Sequence, residues 1–250
     1  MQKTWLLNKW VAIPLVSFFL WESAAVLAGA GNFPHSWDVL SDLGSLVLTG
    51  FFWNSISITI AISFVGFILG SILALLIGVS ISLWTSGEVV TRGTINFFRS
   101  IPSVVFLPLL IASIGASTKT SVILATVVVT LMSITYVIRG IQDTDPVLKE
   151  SAYLVGLSSA GRIRFLYLPS MISILGSGMR LSASRSFGTV VAAGIITGSP
   201  GLGSAMGAAT ASTDYPRVFS YVMVMGIVGI FIYSGFSFVE NKLFRWRTTV

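Results

Sequence analysis

The chain has 250 residues, of which 54% are hydrophobic and only 10% are charged, and its mean hydropathy is +0.90. This apolar surface exceeds what a soluble core of this size can bury, so the composition indicates an integral membrane protein. The net charge of +6 does not indicate nucleic-acid binding, because the basic residues are scattered at the ends of apolar segments. The absence of cysteine excludes a disulfide framework and a thiolate metal site.

The apolar runs predict six membrane-spanning helices, since about 20 residues are needed to cross a bilayer. The predicted spans are 11–30, 54–83, 94–115, 119–138, 168–197 and 218–239. The first run can also be read as a signal peptide, but its length and its Trp21-Glu22 pair favour an uncleaved span. Pro102 and Pro108 each remove a backbone donor, which predicts a kink or break near the cytoplasmic end of the third span.

An amphipathic helix on the outer membrane surface is predicted within residues 31–49. Its apolar positions at helical spacing, opposite Asp38 and Asp42, are Trp37, Leu40, Leu43 and Val47. In the second span, small residues recur at every fourth position from Gly66 to Gly78. Another helix is expected to approach this face closely, either from the same chain or from a second subunit.

The long polar stretch from Arg139 to Pro169 separates the fourth and fifth spans. Asp145-Pro146 predicts a helix start that leads to a short helix ending near Leu154. Gly156 and Gly161 bracket a predicted second turn. With the amino terminus inside, eleven Lys and Arg residues fall on the cytoplasmic side and two fall outside. This bias places both termini and the polar stretch, the coupling loop 139–167, in the cytoplasm.

The polar stretch contains Glu150-Ser151-Ala152, with Gly156 six residues after the glutamate and Leu168-Pro169 at the end. This pattern resembles the cytoplasmic EAA loop of bacterial ABC-importer permeases. The resemblance continues through Trp21-Glu22, Arg99–Pro102, Leu107-Pro108, Gly201–Gly203 and Phe244–Arg247. The combination is similar to the nitrate, sulfonate, taurine and bicarbonate branch of those permeases.

The sequence departs from that branch at Ser151, where alanine is usual, and at Ala193, where many members carry an acidic residue. The resemblance implies an all-α membrane protein of the type I ABC-importer permease fold. That fold has six transmembrane helices, an outer amphipathic helix and a cytoplasmic coupling helix. The chain is accordingly expected to form a single permease domain in the bacterial inner membrane.

The resemblance also implies the partners of the chain. These are a second permease copy, two cytoplasmic ABC ATPase subunits, an extracytoplasmic solute-binding protein and membrane lipid. The ATPase subunits would bind ATP and Mg, so no cofactor, metal or catalytic residue is expected in this chain. The implied ATPase-coupling residues are Glu150, Ser151, Ala152, Tyr153, Leu154, Gly156 and Leu157. Glu150 would pair with a basic group or cap the second helix, and Gly156 would allow a sharp turn.

The residues themselves also offer little for catalysis. His35 is the single histidine, and the sequence contains neither a Walker lysine motif nor a G-x-S-x-G nucleophile elbow. Any ATP hydrolysis must therefore come from another polypeptide.

Two arginines lie inside the predicted fifth span. At a rise of 1.5 Å per residue, Arg180 and Arg185 lie about 16 and 24 Å along the helix from Pro169. Because a guanidinium keeps its proton, each must face water, a carboxylate or an anion. They point about 140° apart, which argues against one shared site. Arg180 is either a structural partner of Glu22 or a ligand-facing group. The predicted substrate path comprises Arg185, Arg180, Ser182 and Ser186.

The segment 198–207 has too few large side chains for a stable independent helix. It is expected to form a flexible outer gate or a re-entrant turn that includes Gly201 and Gly203. A nucleotide-binding loop is not expected here, because no strand precedes the glycines.

The predicted function is to form the translocation path for a small anionic solute of the sulfonate, nitrate or bicarbonate class, delivered by a solute-binding protein. An aromatic vitamin precursor is the alternative within the same branch, which Ala193 leaves open. A secondary transporter or channel is less favoured, because neither paired repeats nor an ion-coupling carboxylate cluster is visible. A membrane scaffold that moves no solute is the third hypothesis.

Overall fold

We describe the chain from a computed structural model, which covers residues 2–29, 33–83 and 87–243. The side chains of residues 2–11, 87–92, 173 and 243 lie outside this description. All regular secondary structure within these ranges is helical, which confirms the predicted fold class. The helices are α1 (Gln2–Ala28), α2 (Ser36–Val47), α3 (Gly50–Leu83), α4 (Gly87–Ser100), α5 (Phe106–Ile114), α6 (Thr118–Gln142), α7 (Pro146–Leu154), α8 (Ser159–Arg162), α9 (Leu168–Thr197), α10 (Leu202–Ala211) and α11 (Tyr215–Leu243).

Three of these helices, α3, α6 and α11, are long and apolar enough to cross a membrane. Two further spans are possible if each of two bent pairs crosses once: α4 with α5, bent by 79°, and α9 with α10, bent by 43°. Within the part of α1 whose side chains are described, the apolar segment is Ala12–Ala28. The described residues therefore contain three clear spans, or five with the bent pairs, where the sequence predicted six.

The predicted break in the third apolar segment lies between α4 and α5. Pro102 has no N–H to continue the helix, and a single 3₁₀ turn follows it, in which Val105 donates to the Pro102 carbonyl over 3.0 Å. Pro108 does not break the chain, because it lies in the first turn of α5, where backbone donors lack helical partners anyway. One proline thus causes the 79° bend.

The centre of the molecule is the contact of α3, α6 and α9. A Cβ atom added at Gly66 would lie 2.6 Å from the Cβ of Ala125, and one at Gly70 would lie 2.6 Å from that of Val129. These distances are too short for any side chain, so the small residues of α3 let α6 approach closely. The repeated glycines therefore serve packing within the chain, one of the two interpretations of the sequence.

The outer helix α2 is amphipathic, and one of its aspartates, Asp42, lies on a different face from the one predicted. Val39 and Leu46 are buried against the rest of the chain, whereas Trp37 is 75% exposed. Asp42 was expected on the solvent side, yet its carboxylate faces inward and accepts a hydrogen bond from Arg217 over 3.0 Å. The prediction was wrong because it did not include a basic partner on another helix.

Helix α7 begins and ends where the sequence predicted. The Asp145 carboxylate accepts a hydrogen bond from the Val147 amide over 2.8 Å, and Pro146 occupies the first helical position. At the other end, Gly156 has a φ of +74°, and Leu157 donates to the Ala152 carbonyl over 3.0 Å. This is a Schellman motif, which favours glycine at the left-handed position. The sharp turn predicted at Gly156 is confirmed.

The turn predicted between Gly156 and Gly161 is shorter than expected, because helix begins at Ser159 and continues through Gly161. Ser158 caps α8 by accepting a hydrogen bond from the Gly161 amide over 3.2 Å. A π-helical turn, residues 163–167, then joins α8 to α9 without interruption. A wider turn suits this place, since Pro169 donates no hydrogen bond to the preceding turn. The helix that contains Arg180 and Arg185 therefore begins at Ser159, in the predicted coupling loop.

Part of the glycine-rich segment also forms a helix, α10, contrary to the prediction. The small side chains bring α10 very close to α9, so that a Cβ at Gly203 would lie 2.2 Å from the Val191 carbonyl oxygen. Packing against a neighbouring helix replaces the intrinsic stability that the segment lacks.

Candidate coupling surface and translocation groove

Helix α7 and the turn after it present exposed apolar side chains on a buried support. Ala152 is 6% exposed and packs with Ile141 and Met171 in one cluster. On the opposite side, Leu154 and Val155 are 88% and 78% exposed. We name this area the coupling surface, defined as Val147, Leu148, Glu150, Tyr153, Leu154 and Val155, all of which are exposed.

Side-chain contacts fix α7 to both neighbouring helices. Lys149 donates from Nζ to the Gln142 carbonyl at the end of α6 over 2.9 Å. The Arg162 guanidinium of α8 lies 4.3 Å from the centre of the Tyr153 ring, a cation–π contact. The coupling surface is therefore joined firmly to the helix that continues into α9.

The remaining predicted coupling residues have local roles. Ser151 donates to the Val147 carbonyl over 2.8 Å, so the hydroxyl is satisfied within its own helix. Leu157 is half-buried and packs beneath α7. Glu150 is exposed and contacts no basic group among the described residues, and Ser158 caps the second helix in its place. The predicted cap on the second helix is therefore wrong, whereas the pairing of Glu150 with a basic group stays a prediction.

A groove of about 400 Å³ runs beside the break between α4 and α5. Two of its lining residues are arginines, Arg99 at the end of α4 and Arg185 in the middle of α9. Most of the others are apolar, and none is acidic: Phe98, Ile101, Pro102, Ser103, Val104, Phe106, Val127, Val128, Leu131 and Met132. The 79° bend at Pro102 brings α4 and its arginine to this position.

The two arginines have few protein partners. Arg99 donates one hydrogen bond from Nη1 to the Thr135 hydroxyl over 3.2 Å. Arg185 is exposed, and no side chain within the described ranges forms an ion pair or hydrogen bond with its guanidinium. Because arginine remains charged, the groove presents positive charge that the described residues leave without a counter-charge.

Arg180, in contrast, is half-buried and has several protein partners. Its Nη1 lies 3.2 Å from Glu240 Oε2 of α11 and 3.3 Å from the Ser237 hydroxyl. Its guanidinium carbon also lies 5.1 Å from the centre of the Tyr233 ring. Arg180 thus joins α9 to α11 through Glu240, and the predicted bridge between Arg180 and Glu22 is wrong.

Glu22 instead fastens α1 to the start of α2. Its Oε2 lies 2.8 Å from His35 Nδ1, and its Oε1 accepts hydrogen bonds from the Ser36 amide, over 2.8 Å, and from the Ser36 hydroxyl. The bond with Glu22 raises the pKa of His35 above its ordinary value. Glu22 is a structural residue, but it is only half-buried.

The predicted path serines and gate glycines lie within helix contacts. Ser182 and Ser186 have no exposed surface, and their hydroxyls bond to the Ser133 hydroxyl over 2.9 Å and to the Ser63 carbonyl over 2.7 Å. The prediction that they line a path is therefore wrong. Gly201 and Gly203 are both buried in tight contacts. Their role in a gate remains a prediction.

The sequence interpretation did not identify Arg99 as a groove-lining residue or Glu240 as the partner of Arg180. In the sequence, Arg99 stands among the positive charges at span ends and in the Arg99–Pro102 resemblance, although Pro102, three residues later, indicates a bend beside it. Glu240 lies one residue beyond the predicted end of the sixth span, and it is the only acidic residue of α11. Extending that span by one turn would have found it. No cluster of metal ligands occurs among the described residues.

These observations define a class of protein, an all-helical, multi-pass membrane protein with charged groups at selected helix contacts. The chain belongs to the family of binding-protein-dependent transport system inner membrane components, whose model matches residues 66–245. Members of this family are transport permease subunits rather than enzymes.

Individual relatives agree with the family. The chain is 26% identical to an ABC transporter permease protein of Brucella abortus, with 88% of each chain covered. It is 24% identical to the aliphatic sulfonates permease SsuC of Bacillus subtilis, covering 96% of this chain and 88% of the relative. The riboflavin permease RibX of Chloroflexus aurantiacus matches at 24% identity over 60% of this chain and 56% of its own. The taurine permease TauC of Escherichia coli, at 22% over 70% and 63%, and the nitrate permease NrtB of Leptolyngbya laminosa, at 23% over 84% and 76%, also match.

Solved structures show the same fold. An inward-facing structure of the MetNI methionine ABC transporter aligns with a TM-score of 0.68 at 18% identity, covering 77% of this chain and 95% of that chain. A structure of an amino acid ABC transporter aligns with a TM-score of 0.65 at 17% identity, covering 80% and 97%. The fold is therefore that of an ABC-importer permease.

Proposed function

We propose that the chain forms the translocation path of an ATP-driven importer for a small anionic solute. It acts as one of two identical permease copies, together with two cytoplasmic ATPases and an extracytoplasmic solute-binding protein. The observation that carries the solute class is the groove in which Arg99 and Arg185 lie without an acidic neighbour. A permanent charge in a membrane protein is costly, so an arginine without a protein partner marks an ion or substrate path.

The coupling surface is the proposed site of ATPase docking. Exposed leucine and valine on a rigid, nine-residue helix form an apolar patch that a partner protein would cover. The sequence around it resembles the EAA loop. The excess of Lys and Arg on this side supports a cytoplasmic location for the surface and for both termini.

Packing between α7 and the start of α9 connects the proposed ATPase docking site to the groove. Beneath the coupling surface, Ala152 of α7 packs with Leu166 and with Met171 of α9. The same helix extends to Arg185. When ATP binding closes the two ATPases, the coupling surfaces move inward, and α9 moves with them because it is packed rigidly beneath α7. The groove then opens outward to receive solute, and ATP hydrolysis resets it.

An aromatic vitamin precursor is the second candidate solute. Two observations favour it: one relative is a riboflavin permease, and the groove contains the aromatic rings of Phe98 and Phe106. Aromatic side chains in such a position would stack on a flat ring. Uptake of riboflavin by the reconstituted importer would support this candidate, whereas uptake of anions alone would favour the first.

Co-purification with the cognate ATPase tests the coupling surface. Leu154→Asp is expected to reduce bound ATPase at least tenfold, because it places a charge in the proposed apolar contact. Leu48→Asp is the matched control, since Leu48 is 87% exposed at the end of α2 and far from α7 in sequence. It should leave the ATPase bound.

Solute-stimulated ATP hydrolysis gives a second measure of coupling. Glu150→Ala and Gly156→Val should both lower stimulation, the latter because valine does not tolerate a φ of +74°. Gly226→Ala, at an open position in α11, is the control. Normal ATPase binding and normal stimulation in Leu154→Asp, Glu150→Ala and Gly156→Val would refute the docking role.

A further inference from the structure

We infer that the groove between α4, α6 and α9 selects an organic anion, with one compact oxyanion head and one apolar body, over small inorganic anions. The inference rests on the proposed function and narrows its solute class. It excludes nitrate and bicarbonate as preferred solutes, and it assigns the head and the body to different walls of one groove.

The head would lie at the two guanidinium groups. Arg99 uses one bond to Thr135, so its other N–H donors have no partner among the described residues. Arg185 has no side-chain partner in the same set. A guanidinium presents two parallel donors that match the oxygens of a carboxylate, sulfonate or phosphonate. Both guanidinium groups line the same groove, so either of them offers a place for the oxyanion head of a bound solute.

The body would lie on the apolar wall. That wall comprises Val127, Val128, Leu131 and Met132 of α6 together with Phe98 and Phe106 beside the break. A nitrate or bicarbonate ion at the arginines leaves this wall in contact with water, and it gains nothing from the apolar surface. An alkyl or aryl chain covers the wall and gains free energy with each carbon that it buries.

The size of the groove agrees with this assignment. Its volume of about 400 Å³ lies within the range in which organic ligands of moderate size bind. A water molecule occupies only about 30 Å³ of liquid, so a single inorganic ion would fill a small part of the groove. The mixture of an apolar lining and a few polar groups is typical of sites that fix the orientation of an organic ligand.

A single reporter cysteine in the full-length permease allows a direct test, since the natural chain has no cysteine. Ser103→Cys places the thiol in the lining and leaves both arginines unchanged. The rate of its reaction with a water-soluble maleimide is measured in detergent against increasing hexanesulfonate, methanesulfonate and nitrate. We expect hexanesulfonate to give half-maximal protection at a concentration at least tenfold below methanesulfonate or nitrate.

Controls separate the head from the body. Hexanol, which has the tail without the charge, should give no protection. Arg99→Gln and Arg185→Gln should each raise the half-protecting concentration of hexanesulfonate at least tenfold. Arg180→Gln should not change it, because Arg180 is not part of the groove lining.

Several results would overturn the inference. Equal protection by nitrate would show that the wall contributes nothing, although transport of a small anion would stand. Protection that is insensitive to both groove arginines would contradict the assigned head.

An anionic phospholipid has the same chemistry as the proposed solute, so the reaction is repeated in nanodiscs containing phosphatidylglycerol. Protection there that hexanesulfonate does not modify would assign the groove to lipid. Solute-stimulated ATP hydrolysis is measured in parallel. If it is normal, the proposed transport function stands even when the inference about the groove fails.

Discussion

Two regions of α9, centred on arginines five residues apart, differ in how the protein treats a permanent charge. Around Arg180, the guanidinium meets Glu240, Ser237 and the Tyr233 ring, and its side chain is only 22% exposed. Around Arg185, the guanidinium forms no hydrogen bond or ion pair with a described side chain, and it lies exposed in the groove. The two regions lie on different sides of one helix, as the spacing of five residues dictates.

This comparison distinguishes a structural charge, Arg180, from a charge that is free to bind a ligand, Arg185. A charge in an apolar environment is stable only with a partner, and Arg180 has one within the chain. Arg185 is stable only because it faces the groove, where water or a bound anion supplies the partner. Loss of the first should therefore affect folding, and loss of the second should affect transport.

The largest effect is expected from breaking the paired region. Arg180→Gln leaves the Glu240 carboxylate without its counter-charge, which should lower the free energy of unfolding by roughly 3 kcal/mol. Denaturant unfolding of the purified protein in detergent gives this value. The double variant Arg180→Gln with Glu240→Gln should regain much of the loss, because no unpaired charge remains. An Arg180→Gln protein as stable as the natural one would contradict the structural role.

A smaller loss is expected where α9 packs against α6. A Cβ at Gly178 would lie 2.6 Å from Tyr136 Cγ, so Gly178→Ala should lower the free energy of unfolding by about 2 kcal/mol through overpacking. Gly188→Ala is the matched control on the same helix, since no atom lies within 4 Å of its Cβ position. The same unfolding measurement should find Gly188→Ala unchanged to within about 1 kcal/mol. Equal losses in both variants would contradict the packing of this face.

Arg185→Gln should reverse the pattern seen for Arg180→Gln. Its free energy of unfolding should stay within about 0.5 kcal/mol of the natural value, because no ion pair or hydrogen bond to a described side chain is lost. Solute uptake by the reconstituted importer should fall at least tenfold, about 1.4 kcal/mol in binding terms. Arg185→Lys, which keeps the charge, should retain more uptake than Arg185→Gln. Full uptake by Arg185→Gln would contradict the assignment of this arginine to the solute path.

The smallest effect is expected from the pair formed by Glu22 and His35, because its cation titrates. The pair is complete below the ordinary histidine pKa of about 6.5, and its contribution is lost as the pH rises through the raised pKa of His35. Spin labels at Ser17→Cys and Leu40→Cys, two positions that line one pocket between α1 and α2, report on this junction. Their distance distribution should broaden modestly from pH 6 to pH 9. His35→Gln should remove the pH dependence, and a distribution independent of pH in the natural chain would contradict the pair.

Local signals in the sequence predicted much of the fold. Asp145-Pro146 and Gly156 located α7 to the residue, because capping and left-handed turns depend on adjacent groups. Long-range partners were not visible in the same way. The sequence left Arg180 as either a partner of Glu22 or a ligand-facing group, because one sequence does not reveal which helices are neighbours, and Glu240 lies just outside the predicted span. The helix at 202–211 was missed because its stability comes from packing rather than from its own residues.

The sequence predicted one of the two groove arginines. Arg185 stood out because a charge in an apolar segment needs an explanation, whereas Arg99 was hidden among the charges expected at span ends. The serines beside Arg185 were assigned to the path by polarity alone. In the structure, Ser182 and Ser186 satisfy their hydroxyls within helix contacts, which polarity by itself does not distinguish from exposure to a cavity.

Thiol accessibility tests most directly whether Arg185, and not Arg180, faces the solute path. Single cysteines at either position, in a chain without other cysteines, are treated with a membrane-impermeant thiol reagent in the reconstituted importer. We predict rapid modification at 185, which is exposed in the groove, and modification at least tenfold slower at 180, which lies in a helix contact. Equal reactivity at the two positions, or faster modification at 180, would contradict this prediction.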